Sequence, residues 1–337
     1  TAQRSPLKSL NFAALRIKDA VADRFRAKAG VRPSVDTHYP QVRIHGHLDA
    51  QHLTLYIDTS GEPLFKRGWR QDKGDAPLKE TLAAAILAAS GWQPQSGQAL
   101  YDPCCGSGTI VIEAAQMACR IAPGGQRRFA FERLLPHQPA LWQQLLHEAR
   151  AAEIRPQDIF IFGSDVSHRI VDFAQRNAER AGVAHAVQLR GGDALQRMPP
   201  VDGTGVLLLN PPYGERIAAA GVAGQDAAAR ARRMADAGRE RAVMTEDAAN
   251  GGEADFFARL ASHWKKHYVG WKAWVLSPDM TLPGRMRLQA SRRVPLWNGP
   301  IECRLFCFDM VKGSTKPRKQ DSASGAPQGP GAEGHGA

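Results

Sequence analysis

The sequence predicts an α/β protein built on a mostly parallel, doubly wound sheet that ends in an antiparallel hairpin. Three observations carry that expectation. Short apolar runs at 98–102, 159–163, 186–190 and 205–209 alternate with helical stretches, the pattern of parallel strands joined by crossover helices. A glycine-rich turn, Asp102-Pro103-Cys104-Cys105-Gly106-Ser107-Gly108-Thr109, follows the first of these runs and opens a helix. Finally, Asn298-Gly299 separates two apolar stretches at 285–295 and 301–310, and that dipeptide suits a tight hairpin turn.

Ahead of the sheet, residues 1–73 read as a small α/β unit. Leu10, Ala14, Ile17, Val21 and Phe25 recur at spacings of three and four, one face of a helix, and Gly30 is placed to end it. Two strands are expected at 42–48 and 53–58, with Asp49 and Ala50 in the turn and Ser60-Gly61 closing the second. Proline at position 77 suits the first turn of a helix over 77–89. Further helices are expected at 109–119 and 167–181, the latter closed by Gly182, then at 256–267, followed by a strand at 271–277.

Between these, residues 217–254 are rich in Ala, Arg, Gly and Asp and read as a flexible insertion holding one helix at 226–237. The tail from 313 is Pro, Gly, Ser and charge without apolar residues, and is expected to be disordered. The organisation is thus a first unit at 1–62, a linker at 63–76, a larger domain at 77–311 and a tail at 312–337. The chain opens abruptly at Thr1, which leads us to expect upstream sequence.

Lys and Arg total 44 against 33 Asp and Glu, a net charge of +11. Residues 1–73 hold 13 basic and 7 acidic side chains, so much of the excess sits there, which suits either a polyanionic partner or a solvated basic surface. No apolar run approaches the roughly 20 residues of a membrane span, and no secretory signal is evident, so a cytoplasmic protein is expected. The five cysteines form no CxxC pair and no disulfide framework, and no four-ligand metal set at short spacing is present.

The glycine-rich turn lets a ligand approach the main chain and presents helix N–H groups to a carboxylate or phosphate. Neither GxGxxG nor Gly-Lys-Ser/Thr is present, which disfavours a dinucleotide fold and a phosphate-cradling loop. Asp165 and Asp193 stand at later strand ends, where a carboxylate can hold ribose hydroxyls or an adenine amino group. Each alone reads as a helix cap or turn residue. Then comes Leu209-Asn210-Pro211-Pro212-Tyr213-Gly214. Two prolines fix the backbone and leave carbonyl oxygens as acceptors, Asn210 adds another, and Tyr213 offers a ring. That set can take both N–H bonds of an aromatic amino group and stack on its base.

In these segments the chain resembles the bacterial ribosomal RNA large-subunit guanine-N2 methyltransferases. The likeness rests on 102–109 with Ile112-Glu113-Ala114-Ala115, on Asn210-Pro211-Pro212-Tyr213-Gly214-Glu215-Arg216, on Phe65-Lys66-Arg67-Gly68-Trp69-Arg70 and on Ala76-Pro77-Leu78-Lys79-Glu80. Pro33-Ser34-Val35-Asp36 and the strands after it resemble the second half of a THUMP RNA-binding domain.

The resemblance implies a class I, Rossmann-like methyltransferase that uses S-adenosyl-L-methionine on 23S rRNA or its precursor. It implies cofactor contacts from Asp102, Cys104, Gly106, Gly108, Thr109, Asp165, Asp193 and Asn210, and catalysis at Asn210, Pro211, Pro212 and Tyr213. Arg67 and Arg70 are expected to contact RNA. The same chemistry would suit DNA adenine N6 or a protein glutamine, and an inactive RNA-binding assembly factor is a further alternative.

Overall fold

The computed structural model describes residues 1–74, 78–158, 160–211 and 247–312. The expectations for Pro77, Ile159, Pro212, Tyr213, a helix at 226–237 and the tail from 313 lie outside the described residues.

In the first unit, helix α1 (Leu10–Ala29) is followed by strands β1 (Arg43–Leu48) and β2 (Leu53–Asp58). Ser9 starts the helix by accepting the Phe12 N–H at 3.2 Å. Gly30, with φ of 70°, ends it by donating its N–H to the Arg26 carbonyl. The strands pair antiparallel from Arg43↔Asp58 to Leu48↔Leu53. Burial is thin: Ala13, Ala22 and Leu48 are buried, whereas Leu10, Phe12, Phe25, Leu53 and Leu55 stay about half exposed.

The second unit contains α2 (Glu80–Ser90), β3 (Ala99–Asp102), α3 (Thr109–Ala118), α4 (Pro139–Ala151), β4 (Ile161–Asp165), α5 (His168–Arg180) and β5 (Val187–Gly191). It continues through β6 (Gly205–Leu209), α6 (Asp247–His267), β7 (Lys272–Ser277), α7 (Leu282–Arg285), β8 (Arg292–Asn298) and β9 (Ile301–Asp309). Its seven strands run β5-β4-β3-β6-β7-β9-β8. The first five are parallel; β9 runs antiparallel to β7, and β8 to β9. The sheet and its terminal hairpin therefore have the arrangement the sequence predicts.

Alternation along the strands builds two cores. Leu100, Ile161, Val206 and Leu208 face α2, α3 and α5, where Ile86, Ile110 and Ala178 complete one buried cluster. Tyr101, Phe162, Leu207 and Leu209 turn the other way, onto Phe257, Leu260 and Trp264 of α6. A sheet buried on both faces explains why its strands read as continuous apolar runs.

Two expectations need correction. The stretch expected as strand from 285 begins as helix α7, and β8 starts only at Arg292. Met286 is buried and Leu288 packs against the α6 core, so tertiary burial overrides the local strand pattern. Pro295 is tolerated because β8 is the outer strand of the sheet. Helix α6 runs back to Asp247, into the segment expected to be flexible. Once a helix is nucleated by packing, extending it costs far less than starting one. The chain between α3 and β4 holds a 3-10 turn (Ala130–Arg133) and α4, the latter without a single buried residue.

Candidate active site at the switch point of the sheet

The chain winds from β3 outward through β4 to β5, then returns to lay β6 on the other flank of β3. Such a reversal opens a crevice at the carboxyl ends of the strands. Asp102 ends β3, Asp165 ends β4, and Asn210 directly follows β6. Pairing of Leu100 with Ile161 on one side and Val206 on the other brings these three positions to one edge.

The glycine-rich turn is held by bonds to its neighbours. Cys105 N–H donates to the Ser164 carbonyl at 2.9 Å, and Gly106 N–H donates to the Asp165 carboxylate at 3.1 Å. Gly108 starts α3 with φ of 88°, and a Cβ there would come within 3.0 Å of both Ala174 and Ile112. Glycine is therefore required twice over, by conformation and by the close approach of α5. Gly106, with φ of 54°, has open space where a Cβ would be, so that side of the turn can receive a ligand.

Electrostatically the crevice is acidic. Asp102 is buried and accepts the Cys104 N–H at 3.0 Å. Loss of solvent pushes its carboxyl up to about 8, with the Asp165 charge adding to the rise. Burial likewise raises Asp165, although the N–H groups of Ser167 and Gly106 oppose it. The Cys104 thiol lies among Asp102, Asp165 and Asp193, and burial plus those three charges hold it well above the usual thiol range. Cys104 is thus a neutral wall here. Asp193 caps its own turn, accepting the Leu195 N–H at 2.8 Å.

The structure therefore brings Asp102, Cys104, Gly106, Gly108, Thr109, Asp165, Asp193 and Asn210 to one edge of one sheet. Pro211 is buried beside Asn210, while Pro212 and Tyr213 lie outside the described residues. Such an edge can hold a ligand bearing an ammonium group and ribose hydroxyls, with an amide acceptor alongside. Among the described residues, no group of three or more His, Cys, Asp or Glu side chains is arranged to hold a metal ion, and no helix is long and apolar enough to cross a membrane.

Arg67 and Arg70, expected to contact RNA, are each engaged in an ion pair within the protein. Arg67 forms two 3.1 Å bonds to Glu113, with side-chain exposures of 11% and 4%. Arg70 pairs with Glu80 at 2.7 Å, at exposures of 13% and 4%. Both guanidinium groups are spent inside the protein, because two acids on α2 and α3 would otherwise be buried without a cation. Sequence reading placed Glu80 and Glu113 in its motif segments but gave neither a role. A signal existed for the second: an acid amid Ile110-Val111-Ile112 and Ala114-Ala115 must find a buried partner. It also missed Asn177, fully buried on α5, which donates to the Ser107 carbonyl at 3.1 Å and to that of Asp72 at 2.8 Å.

Comparison with known proteins agrees with this geometry. A family model described as RMKL-like, methyltransferase domain, matches residues 67–249, and a THUMP domain model matches residues 1–58. The ribosomal RNA large subunit methyltransferase K/L of Shewanella loihica is 40% identical over 314 residues, which cover 92% of this chain and 40% of that protein. Its counterpart in Psychromonas ingrahamii is 37% identical, with 88% of this chain and 36% of that protein covered. The chain thus spans about 40% of the length of the curated relatives it matches. Among solved structures, SMU.472 complexed with SAH superposes with a TM-score of 0.73 at 28% identity, covering 93% of this chain and 74% of its own. A predicted N6-adenine-specific DNA methylase from Listeria monocytogenes gives 0.72 at 26% identity, covering 91% and 71%. With a matching domain model over more than half its length, the chain belongs to the RMKL-like methyltransferase-domain family.

Proposed function

We propose that this chain is an S-adenosyl-L-methionine-dependent RNA methyltransferase acting on the exocyclic N2 of a guanine in large-subunit (23S) rRNA or its precursor. The observation that carries the reading is the adjacency of β3 and β6, which sets Asn210 beside the acidic, glycine-lined crevice. The residues present fit the methyl donor. Asp102 accepts one backbone N–H, and a carboxylate has capacity for several donors, so a cationic ligand would favour its ionised form. Asp165 would take ribose hydroxyls, and the open side of Gly106 leaves room against the main chain. Asp193 would approach the adenine.

When bound, the donor supplies a sulfonium whose methyl group is already electrophilic, so the protein's task is chiefly positioning. Asn210 and the Pro211 carbonyl would accept the two N–H bonds of the amino group, turning its lone pair toward the methyl. Tyr213 would stack on the base. No strong base is required, because the proton can leave after transfer. A paired guanine hides this amino group, so single-stranded RNA or a flipped-out base is the expected substrate.

The THUMP match and the names of the K/L relatives favour RNA, with the cytoplasm as the place of action. The description of the Listeria neighbour keeps DNA adenine N6 as the second reading. Transfer of radiolabelled methyl to rRNA, DNA and protein acceptors, followed by mapping of the modified nucleotide, decides between them. Label on adenine N6 of DNA with none on rRNA would overturn the proposal.

A further inference from the structure

The linker makes a contact that the proposed chemistry does not use. Arg70 lies outside the sheet's elements, yet its guanidinium reaches the turn at the carboxyl end of β3. Its Nη2 donates to Thr109 Oγ1 at 2.6 Å and to the Leu78 carbonyl at 3.0 Å, and its Nη1 donates to Ser107 Oγ at 3.4 Å. Nε is held by Glu80 at 2.7 Å, and the group stacks over Trp69, a fully buried core residue. Ser107 and Thr109 flank Gly108, the left-handed residue that starts α3.

From this geometry we infer that Arg70 is a positioning residue for the cofactor: it fixes the Gly106–Thr109 turn from behind, so that the turn's main chain is preorganised to receive the methyl donor. The inference rests on the donor reading above. A turn containing two glycines in left-handed conformations has many unfolded alternatives and holds its shape only if its neighbours impose it. Lysine could not replace Arg70, because the contact uses a planar fork with three donor positions engaged at once. Glu80 orients that fork, since it is buried on α2 and forms its ion pair with Arg70. Asn177 adds a second tie from the same linker, bonding Asp72 and Ser107 together.

Arg67 provides the internal control. It sits on the same linker, is about equally buried, and directs its guanidinium to Glu113 of α3 and to the Leu64 carbonyl rather than to the turn. The test measures S-adenosylhomocysteine affinity by calorimetry, together with melting temperature, in Arg70→Ala, Arg70→Lys, Glu80→Gln and Arg67→Ala. Losing charge-assisted bonds to the turn should weaken binding by about tenfold in Arg70→Ala, with a smaller loss in Arg70→Lys and Glu80→Gln. Arg67→Ala should lower the melting temperature while keeping affinity within about twofold of the parent. If Arg70→Ala fails to fold, Arg70→Lys and Glu80→Gln carry the test. Parental affinity in folded Arg70 and Glu80 variants would overturn the inference. So would an equal loss in Arg67→Ala, which would make the effect general loosening of the linker. Absence of binding by the parental protein would instead sink the donor reading itself.

Discussion

The first unit and the sheet domain use the same elements, helices against strands, with opposite degrees of burial. In the sheet domain both faces are covered, and large side chains such as Leu207, Phe257 and Trp264 are fully enclosed. In the first unit one helix covers part of one face of two strands, and Leu53, Leu55 and Ile57 remain about half exposed. At roughly 1.5–3 kcal/mol for each fully buried large side chain, the sheet domain can hold an acidic crevice in which Asp102 is buried. The first unit has little surplus of its own and relies on attachment. That attachment is visible in Arg127, which donates to the carbonyls of Ser60, Glu62 and Pro63, and in the Phe131 N–H, which donates to the Thr59 carbonyl.

The sharpest way to break this comparison is a pair of identical substitutions. Leu207→Ala, in the centre of the sheet, should destabilise by about 2–5 kcal/mol. Leu55→Ala, 50% exposed in β2, should cost under about 1 kcal/mol. Chemical denaturation of both variants checks this, and equal costs would show that the first unit is better packed than its exposures indicate.

Next comes the division of chemistry from footing. Asn210→Ala should cut methyl transfer by about 10²-fold, by analogy with loss of one preorganised hydrogen-bonding group. Melting temperature should be nearly intact, and S-adenosylhomocysteine affinity should fall far less than transfer does, because Asn210 is one of several cofactor contacts. Single-turnover assays separate these quantities, and transfer at the parental rate would reduce the motif to a strand-terminating loop.

Asp102→Asn should weaken S-adenosylmethionine binding by roughly tenfold, the scale of one hydrogen bond to a charged group. Because Asp102 titrates near 8 in the free protein, affinity for the cationic donor should rise with pH up to about that value and level off above it. In Asp102→Asn most of that rise should vanish. For the free protein the sign is reversed. A carboxyl raised by folding is a burden once ionised, so stability should fall as pH rises from the ordinary carboxylate range toward 8. Calorimetric titrations and thermal melts across about pH 4–9, which brackets the ordinary carboxylate value and the raised one, check both directions. A parental pH profile retained in Asp102→Asn would move the titrating group elsewhere.

The smallest effect concerns the first unit's charge. With Arg67 and Arg70 turned inward, exposed side chains such as Arg16 and Arg43 become the candidates for phosphate contact. Arg43→Glu should weaken RNA binding a few-fold at low salt and reduce the salt slope by about one. Filter binding across a salt series measures this, and an unchanged slope would place the RNA footing outside β1.

Much of this was legible in the sequence, for local reasons. The strand runs at β3, β4 and β6, the glycine turn and the Asn298-Gly299 hairpin are each encoded within a few residues, because buried strands must be apolar and left-handed turns need glycine. The acidic and amide residues of the crevice could be named because strand ends are where such groups collect. What sequence alone could not decide was which charges face water. Arg67 and Arg70 look like any basic pair until α2 and α3 bring Glu113 and Glu80 against them, partners 46 and 10 residues away. Nor could it foresee that 282–285 would coil into a helix, since only the α6 core makes Met286 worth burying. Propensity and pattern act over neighbouring residues, whereas burial of a charge and the pKa of Asp102 depend on everything packed around them, and that is set only when the sheet closes on both faces.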